Sequence, residues 1–355
     1  MKELPSWLLP LWDNLVSRRE RMPHALLFTG PQGSGKRQFS EAFAASLLCR
    51  NTDKRGAPCG VCEDCRWLAS GNHPDILRVL PASEQEEDEG ESSEASGKKE
   101  KSKSSQILID QIRDLQAAVE VGSGGHSGGF RVVILEPAEA MNMAAANALL
   151  KLLEEPGSRL IFLMSCHEPR RLLPTIRSRC QVLPFPRPAT AEAAAWIEKQ
   201  GISDAEALLG FCSGLPLQVE RMHSKGLVEL RKTLANELSR LPEAEPLKLA
   251  AQWETRLKAK DAAEKGLDMS LLVSWLLRWL SDGIRASQGL PPRFYADFGP
   301  ALSRLSEGST QAWQACLREF FAYRRNAQHP LNPRLFLEEM FLVLHRRTAL
   351  LRGTR

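Results

Sequence analysis

The strongest limit on how this chain folds is set by His24-Ala25-Leu26-Leu27-Phe28-Thr29 followed by Gly30-Pro31-Gln32-Gly33-Ser34-Gly35-Lys36-Arg37. A short apolar run that opens into a glycine-rich loop, with helical spacing from Arg37 to Leu48, predicts strand, phosphate-binding loop and helix. In such a loop Gly30, Gly33 and Gly35 let backbone N–H groups approach a phosphate, and Lys36 adds one cation. The residue after the lysine is normally Ser or Thr, because a hydroxyl there ligates the Mg²⁺ that travels with a nucleotide. Arg37 offers only donors and a fixed positive charge. The chain therefore either binds phosphates without hydrolysing them or no longer depends on nucleotide.

Further strands are expected at Pro74–Leu80, Arg131–Leu135 and Leu160–Met164, the last two as continuous apolar runs suited to a parallel sheet buried on both faces. Helices are expected over Ile107–Val121 and Ala144–Leu153, so residues 1–186 read as one α/β domain. Residues 81–106 are nearly all Glu, Asp, Ser, Gly and Lys and are expected to be a disordered insert. Gly122–Gly129 is expected to be a flexible loop without a phosphate site. Beyond Pro186 the strands stop. Thr190–Lys199, with Thr190 as its cap, Asp204–Phe211 and Leu217–His223 read as three short helices across 187–225. Residues 226–355 read as longer helices, the last starting at Asn332-Pro333.

The second half of a nucleotide-hydrolysing site lies at another strand end, where one carboxylate holds Mg²⁺ and a second positions the attacking water. Here the strand Arg131–Leu135 delivers Glu136 and then Pro137, which has no side chain able to accept a proton. Losing such a base costs about 10²- to 10⁴-fold. Together with Arg37, it makes two independent defects, so hydrolysis by this chain is not expected.

Cys49, Cys59, Cys62 and Cys65 form C-x₉-C-x₂-C-x₂-C, four of the eight cysteines in the chain. Closely spaced thiolates can turn onto one ion, and four of them complete a closed tetrahedral Zn²⁺ site with no open position for catalysis. An iron–sulfur cluster is the rival, but the trailing Cys-Pro of the ferredoxin pattern is absent, so structural zinc is favoured. The clustering suits a metal site in a reducing compartment better than a disulfide framework. Cys166, Cys180, Cys212 and Cys316 read as isolated thiols, and the eight tryptophans as core packing. The net charge of +4 is too mild to argue for nucleic acid, and neither a leader nor a membrane span is expected.

His24–Phe28, the four cysteines, His73-Pro74-Asp75, Ala145–Pro156 and Ser178-Arg179-Cys180 together resemble the bacterial clamp-loader subunits of DNA polymerase III, over roughly residues 4–225. Motor members of that family, gamma and tau, are similar in carrying Lys-Thr, Asp-Glu, a sensor threonine and a sensor arginine. The corresponding positions here are Lys36-Arg37, Glu136-Pro137, Cys166 and Leu217, so the resemblance is to a non-hydrolysing member. It implies an AAA+ module, a three-helix lid at 187–225 and a C-terminal collar domain at 226–355. It also implies a hetero-pentamer with gamma or tau and delta that loads a sliding clamp onto primed DNA. Arg179 would then act in trans on a neighbouring motor's ATP site. The cytoplasmic chain would be an accessory to the polymerase without catalysis of its own, and weak nucleotide binding at Gly30, Gly33, Gly35 and Lys36 stays open. The alternative is an active or weakly active motor ATPase; a small-molecule kinase is more remote, since no acceptor-binding motif is visible.

Overall fold

A computed structural model of the chain describes residues 4–83, 104–120, 129–157, 159–306, 310–327 and 332–352. The charged segment expected at 81–106 falls, over 84–103, outside the described residues, as does the glycine-rich loop over 121–128. The chain divides into two units, Met1–Arg187 and Pro188–Arg355.

In the first unit the order is α1 (Leu9–Ser17), β1 (Ala25–Thr29), α2 (Lys36–Leu48), α3 (Glu63–Ala69), β2 (Ile76–Val79), α4 (Ile109–Glu120), β3 (Arg131–Leu135), α5 (Met143–Glu154), β4 (Leu160–Cys166), α6 (Pro174–Ser178) and β5 (Gln181–Pro184). The strands form one sheet in the order β2-β3-β4-β1-β5, and every pairing is parallel. Each residue of β4 is buried, which is why its run Leu160–Cys166 is apolar nearly throughout. Alternate residues of the strands face opposite layers. Leu27, Val133, Phe162 and Met164 join Ile112, Leu115, Leu149 and Leu153 of α4 and α5 in one cluster. Phe28 meets Phe39 of α2 edge-on at 5.4 Å, and Trp12 of α1 closes over Phe39 and Phe43 at 5.8 and 5.7 Å. Asn142 caps α5 through its side-chain oxygen, which accepts from the Ala145 N–H at 2.8 Å.

The second unit is helical: α7 (Thr190–Lys199), α8 (Ala205–Phe211), α9 (Pro216–Ser224), α10 (Leu227–Ser239), α11 (Pro246–Leu257), α12 (Ala262–Lys265), α13 (Met269–Ser287), α14 (Gly299–Leu305), α15 (Thr310–Asn326) and α16 (Pro333–Arg352). One hydrophobic cluster runs through it from Ala193 to Leu344. Asn332 caps α16 as its sequence suggests, its side chain accepting from the Arg334 and Leu335 N–H groups. Thr190 does not cap α7. Ala189 holds the extended cap position, and Thr190 is already the first helical residue, where its backbone no longer aims the hydroxyl at the free amides. Arg231 is fully buried, forked onto Asp297 at 2.7 and 2.6 Å and laid over the rings of Phe211 and Tyr295. The Phe211 carbonyl accepts from Arg278 at 3.0 Å, and its ring packs on Trp275 and Tyr295. Six of the tryptophans (Trp7, Trp12, Trp253, Trp275, Trp279 and Trp313) are buried, in keeping with a packing role. No described helix is long and apolar enough to cross a membrane.

Gly283 lies inside α13, where alanine would ordinarily gain about 1 kcal/mol of helix propensity. A Cβ there would sit 2.4 Å from the buried Trp313 ring. Overpacking costs about 1–3 kcal/mol, so the clash wins. Gly283→Ala is expected to lower the denaturation midpoint of the second unit, and a raised midpoint would refute this packing account.

Candidate functional site

The C-terminal end of β1 turns directly into the glycine-rich loop. Gly33 and Gly35 have φ of 82° and 94°, left-handed values that let the chain curl before α2 starts at Lys36. The Gly30 N–H donates to the Cys166 carbonyl at 3.1 Å, which ties the loop to the end of β4. The structure thus brings Gly30, Gly33, Gly35 and Lys36 into one turn. Lys36 is 2% exposed and folds back on that turn, donating to the carbonyls of Gly30 and Pro31 at 2.8 and 2.9 Å, with the Ser34 hydroxyl at 3.4 Å. Burial lowers its pKa to about 8, with Glu136 and Glu139 pulling upward, so the ammonium stays charged at neutral pH. Arg37 lines a groove with Gln38, Glu41, Pro58 and Leu68, on the side of α2 that faces the cysteine module.

Glu136 emerges buried from β3, 8% exposed, and Pro137 follows as its sequence requires. Glu139, four residues beyond the end of β3 and outside every sequence motif, accepts the N–H groups of His167 and Glu168 at 2.8 and 3.1 Å. Burial pushes its pKa up, but the surrounding amide hydrogen bonds prevail and the net shift is downward. Its Oε1 therefore pins the exit of β4. Cys166, the last residue of β4, has its thiol pushed up to about 12 by burial and then by Glu139. Leu217 is buried in α9. The site gathers one lysine, two carboxylates and a neutral thiol, with no hydroxyl after Lys36.

Arg179 follows α6 and precedes β5. Because β5 runs parallel to β1 with Gln181 opposite Leu26, Gly30 lies four residues further along, about 13 Å toward the other end of the sheet. Arg179 is thus at the edge where strands begin and its own phosphate loop is at the edge where they end. Its guanidinium bonds Glu154 at 2.6 Å and the Thr175 carbonyl at 3.0 Å.

From the end of α2 into the first turn of α3 the four cysteines converge, with all four sulfurs within 4.8 Å of one another. Cys49–Cys62 and Cys59–Cys65 are each 3.9 Å apart. A tetrahedral ion with Zn–S bonds of about 2.3 Å would set sulfurs about 3.8 Å apart, so the residues fit zinc. Backbone N–H groups of Cys59, Cys62 and Cys65 point at the sulfurs of Cys49, Cys59 and Cys62 at 3.3, 3.3 and 3.5 Å. Amides of Val61 and Cys62 hold the Cys59 pKa down to about 6, while burial raises Cys49 and Cys65. The module is anchored by Trp12, whose indole donates to the Arg55 carbonyl at 2.8 Å, and by buried Asp64, which bonds Arg50 at 2.9 Å and approaches His73 at 3.5 Å.

A family profile described as "DNA polymerase III, delta subunit" matches residues 11–189. Among curated relatives, the DNA polymerase III subunit delta' of Pseudomonas aeruginosa is 34% identical over 97% of both chains. That of Yersinia pestis is 32% identical over 80% of this chain and 77% of its own. A gamma/tau subunit of Mycobacterium bovis is 36% identical, but over 51% of this chain and 28% of its own. The gamma/tau relative thus matches about half of this chain, whereas the delta' relative matches it nearly end to end, and the chain belongs to the DNA polymerase III delta' family of clamp-loader subunits.

Proposed function

We propose that this chain is the non-hydrolysing stator of a clamp loader, supplying Arg179 in trans to the ATP site of a neighbouring gamma or tau motor. The observation that carries this reading is that Arg179 lies at the opposite edge of the sheet from its own phosphate loop, out of reach of that loop's site. The loop itself supports the same view. Lys36 is engaged by its own turn, and Arg37 replaces the metal-binding hydroxyl. The residues 1–186 act as the AAA+ module, 187–225 as the lid and 226–355 as the collar segment that joins a pentamer with the motors and delta. The assembly places a sliding clamp on primed DNA in the cytoplasm. Cys49, Cys59, Cys62 and Cys65 hold a structural Zn²⁺, which cross-links the first unit and leaves no position open for substrate.

The test is ATP turnover with Mg²⁺. The purified chain is expected to show none above background, and a loader rebuilt with Lys36→Ala is expected to keep its primed-DNA-stimulated rate. Turnover by the purified chain that disappears in Lys36→Ala would make it a motor instead.

A further inference from the structure

Arg179 is not presented bare. Nη2 lies 2.6 Å from Oε1 of Glu154, and Nη1 donates to the Thr175 carbonyl at 3.0 Å. Glu154 is the last residue of α5 and Thr175 lies in the first turn of α6, so two separate elements grip one guanidinium. The grip is exposed, with Arg179 at 36% and Glu154 at 50%. An ion pair that open to water stabilises by only a small factor. A phosphate offers the same fork two oxygens and more negative charge than one carboxylate, so it can take the arginine over.

We propose that Glu154 is a positioning residue, an intramolecular counter-ion that parks Arg179 and competes for it with the nucleotide phosphates of the neighbouring subunit. This rests on the reading of Arg179 as an arginine supplied in trans. The exchange from carboxylate to phosphate takes place when the nucleotide is bound, before the chemical step. Its cost is therefore shared by the ground and transition states, and a shared cost appears in KM rather than in kcat. For a pair this exposed the factor is about 1.5 to 5.

The experiment is the ATP-concentration dependence of the fast phase of hydrolysis by the reconstituted loader on primed DNA, which resolves the one site Arg179 serves, with Glu154→Gln, Arg179→Ala and the double variant. The half-saturation of that phase is read as KM and its rate as kcat. Glu154→Gln is expected to lower KM for ATP by about 1.5- to 5-fold, with the effect falling on KM and not on kcat. The double variant is expected to match Arg179→Ala, since Glu154 then has nothing to hold. Both side chains of the pair are partly exposed, so the melting midpoint of Glu154→Gln should stay near native. If Arg179→Ala slows turnover while Glu154→Gln lowers kcat or leaves KM unmoved, Glu154 is an ordinary brace and the competition is overturned, while the trans arginine stands. If Arg179→Ala itself has no effect, the trans arginine fails and this inference fails with it.

Discussion

Arg179→Ala is expected to slow hydrolysis at one neighbouring site of the assembled loader by about 10³-fold or more. The estimate comes from arginines supplied in trans to GTPases, where the guanidinium neutralises charge growing on the transferred phosphoryl group and is worth about 10³ to 10⁵ in rate. Other motor sites would continue, so the steady-state rate understates the loss. A single-turnover experiment isolates it: one site's share of bound ATP should remain unhydrolysed through the fast phase. Arg179→Lys should recover little, because an ammonium keeps the charge and loses the planar fork. Full hydrolysis in the fast phase with Arg179→Ala would refute the assignment.

The other large effect is on the cysteine module. Ligands that a folded site gathers for Zn²⁺ hold it with an apparent free energy of about 10–16 kcal/mol at neutral pH, comparable to the whole stability of a domain. Part of that is local, but a loss of even about 4 kcal/mol would lower the melting midpoint of a 150–250-residue unit by roughly 8–16 °C. Cys65→Ser, at a ligand that is 6% exposed, should therefore lower the midpoint strongly and reduce metal content from about one Zn²⁺ per chain. Chelation of the native protein should do the same reversibly. Iron with sulfide in place of zinc, or a midpoint indifferent to chelator, would overturn the assignment.

Much of the first unit was legible because its signals are local. Apolar runs marked β1, β3 and β4, and the C-x₂-C spacing marked the thiol cluster. β5 was missed because Gln181-Val182-Leu183-Pro184 is short, ends in proline and alternates only weakly; its pairing with β1 makes it a strand. α3 was missed because it is seven residues long and begins at a cysteine, with the Cys62 sulfur as its cap. Among site residues, Lys36 and Arg179 were visible through motifs; Glu154 lay inside the Ala145–Pro156 motif without a role, and Glu139 lay in none. Glu139 meets His167 and Glu154 meets Arg179 across 28 and 25 positions, and no periodicity in sequence reports such a meeting. A carboxylate one turn beyond a strand end was the one clue to Glu139.

Lys225 and Gly226, with φ of 66° at the glycine, separate α9 from α10 at the boundary expected between the segments 187–225 and 226–355. The packing leaves that joint no freedom to bend. Phe211 is tied by its ring and its carbonyl to Trp275, Arg278 and Tyr295, and Arg231 is bolted to Asp297 over the same ring. Bending at Gly226 would open a shared interior to water along with these bonds. A displacement delivered to α7, α8 or α9 therefore travels onward as motion of the whole helical unit, the way a bracket transmits load without flexing.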